Sequence, residues 1–363
     1  MNEFLDRLPS HLREFADPSL PRDKRLLAAK GALPIPPREM ALVLFALSLD
    51  RDEEVRSEAR RSIEAIPEGV MESMLSDPAT PPEFLHYVAR TTGNESYLER
   101  IIVNPSTSDL TLTHLAAELD NPLLLDIIAS NQERLVRCEA IVDALGRNPS
   151  VGRATMERVL GFLRLYFVKS DSRLAEYAGV EVEEKEAEEA PPAEEGEADS
   201  GPVLEEETAR RLLEERQEDE ELGEEQRENL YHLVKKMTVV EKIKLAMFGN
   251  KEVRAILARE PVKMIVSAVL KNPKILESEV VAMAQSVAVD QDILRQIAME
   301  RKWMKSYAVK LALASNPKTP THISINLLKH LYPRDLQTLG ASKNVPAVVA
   351  AAARRLLAEK RRR

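Results

Sequence analysis

The chain has one cysteine, Cys138, in 363 residues, so no intrachain disulfide framework exists and the count argues against a thiolate-held zinc or iron-sulfur centre within one copy. This fits a reducing, cytoplasmic location. Aromatic residues make up 4% of the chain and glycines number 12, and sustained apolar-polar alternation of the kind that builds strands is missing. Long apolar runs are missing too. The longest, Ala41 to Leu47, is far below the roughly 20 residues that span a bilayer. Met1 to Leu12 has neither the basic head nor the apolar core of a signal peptide. The expectation is a chain with no membrane span.

What is abundant is Ala, Leu, Glu, Arg and Val, a composition that favours helix because straight-chain side chains and Ala lose least on entering one. Charge is segregated. Residues 1–180 carry 21 Lys and Arg against 28 Asp and Glu, residues 181–228 carry 5 against 22, and residues 229–363 carry 25 against 10. The run Glu181 to Pro202 is Glu, Ala, Pro and Gly with almost no large apolar residue, so it cannot bury enough surface to offset the entropy of ordering. Val203 to Glu228 is still acidic but holds Leu204, Leu212, Leu213 and Leu222, and reads as a solvated helix. The expected organisation is therefore an N-terminal helical array at 1–178, an acidic disordered linker at 179–228 and a basic C-terminal helical array at 229–363.

Repeats support that division. Punctuation recurs at Asp77-Pro78, Asn104-Pro105, Asn148-Pro149, Asn272-Pro273 and Asn316-Pro317, each followed by an apolar pattern of helical period. Proline drives the preceding residue out of the helical region, and Thr followed by Pro, as in Thr80-Pro81 and Thr319-Pro320, reads as an N-cap with a first helical residue. Thr80 with Glu83, and Thr238 with Glu241, have capping-box spacing. Gly249-Asn250 reads as a helix C-cap in the left-handed conformation. The two arrays also match each other. Asp77, Leu85, Val88 and Ala89 align with Asn272, Val280, Met283 and Ala284, while Ile141, Ala144, Leu145 and Asn148 align with Val309, Ala312, Leu313 and Asn316.

Asn-Pro-x-Thr-Pro followed by Leu-x-x-Leu, in units in the mid-twenties, resembles the leucine-rich-variant (LRV) repeat. Asp50, Val55, Arg56 and Ala59 resemble the signature of a HEAT-repeat second helix. The split layout, with an ending similar to Ala341 to Pro346, also resembles uncharacterised bacterial two-array repeat proteins. The resemblance implies an all-α fold of two α-solenoid arrays and the role of a scaffold. The cysteine cluster that serves an iron-sulfur centre in one LRV protein type has no counterpart, so no cofactor is carried over.

No catalytic constellation is legible. The histidines at 11, 86, 114, 232, 322 and 330 include no H-E-x-x-H and no i, i+4 pair, there is no Gly-rich phosphate loop, and no two carboxylates stand out as acid and base. Cys138 aligns with Ser306 and reads as a small residue of a packed helix. The candidate partner-binding residues are Arg301, Lys302, Trp303, Lys305 and Lys310, which surround the single tryptophan with cations, and Arg354 and Arg355 in the basic C-terminal helix. Trp303 reads either as a binding anchor or as filler between repeats. Arg354, Arg355 and the terminal Lys360 to Arg363 read either as a polyanion contact or as charges complementing the end of a helix. The expected function is a non-enzymatic scaffold for a protein partner. The alternative is binding of nucleic acid or another polyanion by the basic C-terminal array, modulated by the acidic linker.

Overall fold

The computed structural model describes Phe4, residues 8–170, Leu174 and residues 224–362. Twenty-two α-helices and one 3-10 turn make up the described residues, with no strand among them. The fold is all-α, with helical arrays before and after residues 171–223. The expected disorder of 181–202 and the helix expected to begin at Val203 lie outside the described residues, except that Glu224–Lys236 is helical. The chain divides into two compact units, Met1–Arg134 and Leu135–Arg363.

The first unit begins with α1 (Ser10–Ala16), α2 (Arg22–Ala29), α3 (Pro37–Leu47) and α4 (Glu53–Glu64). It continues with α5 (Glu68–Leu75), α6 (Pro82–Thr91), α7 (Glu95–Val103), α8 (Asp109–Glu118) and α9 (Pro122–Ser130), and α10 (Gln132–Arg137) crosses the division. Consecutive helices alternate between two rows. In one row α3 packs on α5, α5 on α7 and α7 on α9, while α6 packs on α8 in the other. On α4 the buried face is Val55, Ala59 and Ile63, the i, i+4 spacing of a helix stripe. Asp52 caps that helix by accepting from Glu54 and Val55 N–H. Asp50, buried, accepts from Asp52 N–H at 2.8 Å and pairs with Arg25.

In the second unit α11 (Glu139–Arg147) and α12 (Arg153–Ser170) precede residues 171–223, and ten helices follow. These are α13 (Glu224–Lys236), α14 (Val239–Phe248), α15 (Lys251–Leu257), α16 (Lys263–Leu270) and α17 (Glu277–Gln285), then α18 (Gln291–Met299), α19 (Tyr307–Ser315), α20 (Thr321–Leu328), α21 (Pro333–Ala341) and α22 (Ala347–Arg362). The hub is α14 with α16. Both α11 and α12 pack on both of these helices. In α14 all residues but Glu241 and Lys244 are buried, and in α16 Met264 to Val269 are buried without a break. A helix apolar all round must be covered all round. Gly146 on α11 lets the covering helix come close, since a Cβ there would stand 3.0 Å from Val239 Cγ1. Val239 N–H also donates to Asp143 Oδ1 of α11 at 2.9 Å.

The compact units thus part at Arg134, whereas the array boundaries expected from the sequence are 178 and 229. Helices α11 and α12, on the N-terminal side of the acidic segment, belong by packing to the second unit. Charge follows the same division. Residues 1–134 hold 14 Lys and Arg against 23 Asp and Glu, and residues 135–170 with 224–363 hold 32 against 16. The intervening 171–223 hold 5 against 21.

The Asn-Pro punctuation is a tie rather than a helix start. Asn104 closes α7 and donates its side-chain amide to the carbonyls of Leu75 (2.8 Å) and Asp77 (3.1 Å) at the end of α5. Asn272 donates to Ala246 and Gly249, and Asn316 to Ala284 (2.7 Å) and Ser286 (3.0 Å). In each the Oδ1 accepts from the backbone two residues on. Asp77 has no such donor and instead takes an ion pair from Arg38 at 3.0 Å, whose other nitrogen donates to Ser73 O.

Local expectations are met unevenly. Thr238 and Glu241 form the capping box. Thr80 does not cap, because its hydroxyl donates to Met74 O at 2.6 Å and Pro81 stands at the N-cap of α6. Gly249 is extended, φ −70°, and Asn250 N-caps α15. Glycine is needed there because a Cβ would lie 2.3 Å from Leu245 O.

Two outcomes are expected. Asn316→Asp keeps the acceptor but removes both donors, stranding two carbonyls at a cost of roughly 1 to 3 kcal/mol each if no water reaches them; a denaturant midpoint equal to that of the parent would disprove the tie. Proteolytic cleavage within 181–202 should leave two fragments that co-elute in gel filtration, held by α11 and α12 on α14 and α16. Elution as separate folded fragments would show that this packing does not hold them.

Candidate functional site

The residues chosen from sequence sit in a short connection of the second unit. Arg301 and Lys302 follow α18, Trp303–Lys305 form the 3-10 turn, and Ser306 caps α19 by accepting from Val309 N–H. Ser306 donates in turn to Glu277 Oε1 at 2.5 Å. Trp303 is 5% exposed. Its ring fills space in the turn, with Lys302 Nζ 4.4 Å from the ring centroid, a cation-π contact. Arg301, Lys302 and Lys305 are exposed and Lys310 is half-buried. The second predicted cluster is partly spent on structure. Arg354 donates to Gly340 O of α21 at 2.8 Å, and Lys360 to Leu331 O at 2.8 Å. Arg355 is exposed, and the side chains of Arg361 to Arg363 lie outside the described residues.

Three cations that sequence reasoning passed over stand close to this turn. Arg153, Glu157 and Arg164 are spaced by four and seven residues and share one face of α12. Arg153 Nε pairs with Glu157 at 2.6 Å, and its Nη1 lies 2.8 Å from Met299 Sδ, one residue before Glu300. Lys271 closes α16 within electrostatic reach of Glu157, Arg164, Glu300 and Arg153. Burial pushes its amine below the usual lysine range, Arg164 and Arg153 push the same way, and Glu157 and Glu300 oppose them.

Three other half-buried or buried cations of this unit have carboxylate partners: Lys242 with Glu260 at 2.9 Å, Arg254 with Glu279 at 3.1 Å, Lys263 with Asp292 at 3.0 Å. The side chains of Lys271 and Arg164, both half-buried, form no hydrogen bond or ion pair among the described residues. Partly desolvated cations without a partner are poised for an anion from outside. The face can hold an anionic surface, and it is assembled from residues on both sides of the acidic segment. A periodic Arg153-Glu157-Arg164 stripe was the available sequence signal. Its meeting with Lys271 is long-range and has none.

Two histidines do meet. His86 and His114 have ring centroids 6.1 Å apart, and His86 Nδ1 is hydrogen-bonded with Thr111 Oγ1 at 3.0 Å. Burial lowers the His86 pKa, with Arg90 and His114 adding to the effect. Among the described residues no three His, Cys, Asp or Glu side chains converge on a point that would hold a metal, and no helix is long and apolar enough to cross a membrane.

Cys138 is the N-cap of α11 rather than a residue inside a helix, with no side-chain cap bond. It is the counterpart of the capping Ser306, as the alignment implied. Cys138→Ser should therefore stabilise the chain by about 1 kcal/mol, read as a higher unfolding midpoint. A lower midpoint would mean that the thiol has a packing role the hydroxyl cannot fill. No protein-family model, curated protein or solved structure matches this chain.

Proposed function

We propose that this chain is a non-catalytic helical-repeat scaffold whose second unit holds an acidic surface of a protein partner. The observation that carries the reading is the half-buried pair Lys271 and Arg164, whose side chains have no ion-pair partner among the described residues, with Lys271 in electrostatic reach of Glu300, the residue before exposed Arg301 and Lys302. Buried Trp303 supports a protein partner over single-stranded nucleic acid, because a ring spent on packing offers no face for a base to stack on. Exposed Met299, 62% accessible beside Arg153, adds apolar surface that an acidic polypeptide matches better than a phosphate backbone does.

A second reading has one observation of its own. The excess of 32 cations over 16 anions in the second unit, without residues 171–223, favours duplex nucleic acid through its phosphates. In either case residues 171–223, with 21 anions and 5 cations, are tethered to the same unit at both ends and compete for its cations.

The experiment compares poly-glutamate and a duplex DNA as ligands for the full chain, for Arg164→Glu with Lys271→Glu, and for a chain lacking residues 181–222. Poly-glutamate is expected to bind, the double variant to bind at least about tenfold more weakly, and the deletion to bind more tightly at low salt. That gain should shrink as salt screens the charges over about 8 Å at physiological ionic strength. Tight duplex binding with no poly-glutamate binding would favour the second reading. Equal binding by the double variant would overturn both as readings of this face.

A further inference from the structure

A cleft of about 720 Å³ in the second unit, at the start of α20, has no residue of the Trp303 turn in its lining and is lined by Arg295, Lys318, Thr319, Thr321 and His322 among others. The repeat's own punctuation, Pro317-Lys318-Thr319-Pro320, is part of its lining. Thr319 is 2% exposed and its hydroxyl has no hydrogen-bond partner. At the equivalent repeat positions the hydroxyls of Thr80 and Thr107 donate six residues back, to Met74 O at 2.6 Å and Ile101 O at 2.5 Å. A buried hydroxyl left unpaired costs free energy that the other two repeats avoid.

The start of α20 is open in the same place. Its N-cap is Pro320, which has no side-chain acceptor, and no side chain caps the helix. The first N–H groups of the helix, those of Thr321 and His322, therefore point out of its end with the positive pole of the helix dipole. The homologous helix α6 closes this position in two ways. Pro82 removes the first donor, and Glu83 in the first turn supplies a carboxylate. In α20 those positions are Thr321 and His322, with no acid in the first turn. Lys318 adds positive charge to the cleft, as does Arg295, which also pairs with Asp292 at 3.2 Å, and Lys318, Thr321 and His322 make no side-chain hydrogen bond or ion pair among the described residues. The one acid in its lining, Asp290, is occupied. It caps α18 by accepting from Asp292 N–H and pairs with Lys263 at 3.3 Å.

We infer that this cleft is a binding site for a phosphate monoester, held by the Thr321 and His322 backbone N–H groups, the Thr319 hydroxyl, Lys318 and Arg295. A dianionic group with three acceptor oxygens matches convergent N–H and O–H donors and two cations. The cleft is far larger than a phosphoryl group, so the phosphate is the head of a larger body, either a phosphorylated side chain of a protein or a small phosphorylated metabolite. This assignment does not depend on the acidic-partner reading of the Lys271 face, and the variants that test it leave that face intact.

The test is calorimetric titration of the full chain, at low salt, with a short neutral peptide bearing one phosphoserine, with the same peptide unphosphorylated, and with a hexose phosphate. At least one phosphorylated probe should bind and the unphosphorylated peptide should not. Binding of the phosphopeptide alone assigns the source as protein, and binding of the hexose phosphate assigns a small metabolite. His322→Glu places in α20 the carboxylate that α6 already has, so it should lower affinity by about tenfold or more without lowering the unfolding midpoint. Thr319→Val should weaken binding severalfold and leave the fold at least as stable, since it removes an unsatisfied hydroxyl. Failure of both phosphorylated probes, equal binding of the unphosphorylated peptide, or unchanged affinity in His322→Glu would overturn the site.

Discussion

Stacked short helices create a problem at their ends, where the last carbonyls have no partner inside the helix and packing keeps water away. In this chain the answer is one side chain used repeatedly. Asn104, Asn272 and Asn316 each give two N–H bonds to carbonyls at the end of another helix while the oxygen holds their own turn. Because the donors are fixed on one helix and the acceptors on the other, each tie sets the offset between the two. The apolar faces then meet in a single register, and Val309, Ala312 and Leu313 of α19 are buried as Ile141, Ala144 and Leu145 of α11 are. Asp77, an acceptor where a donor is called for, is the place where an arginine takes over the role.

The second unit adds a constraint of a different kind. Helices α14 and α16 are too apolar to stand alone, and two of the helices that cover them come from before the acidic segment. That segment is therefore inserted into the covalent path of a single packed unit. The candidate interface inherits this arrangement. Arg153 and Arg164 come from one side of the insertion, Lys271 and the Trp303 turn from the other, and the cations converge because the hub brings α12 against α16.

Much of this was legible in sequence where the signal was local or periodic. The helical class followed from composition, the internal duplication from matched apolar positions, and the cap at Thr238 from its Glu241 partner. Thr80 looked identical on paper, but a carbonyl six residues back competes for its hydroxyl, and that carbonyl is placed by the fold. In sequence, Gly249-Asn250 reads as the left-handed C-cap that glycine often makes. Its actual constraint is steric, from an oxygen four residues earlier that no motif encodes. The boundary at Arg134 escaped the repeat pattern because the repeats run through it. The charge carries it, since cations outnumber anions from Leu135 to Ser170, but the far larger change at the acidic segment overshadows that shift. The Lys271 cluster and the unpaired Thr319 hydroxyl depend on contacts between distant parts of the chain, which periodicity does not reach.

The charge division also governs how copies of the molecule meet in solution. A net charge of −9 would ordinarily keep copies apart by mutual repulsion. Here the average conceals an anionic first unit, a cationic second unit and an anionic insertion, so one copy carries complements to another. At low ionic strength attraction between unlike parts competes with the net repulsion, and added salt weakens that attraction before any salting-out begins. The colloidal behaviour is that of a polyampholyte, in which modest salt favours dispersion and a column of either charge retains the protein.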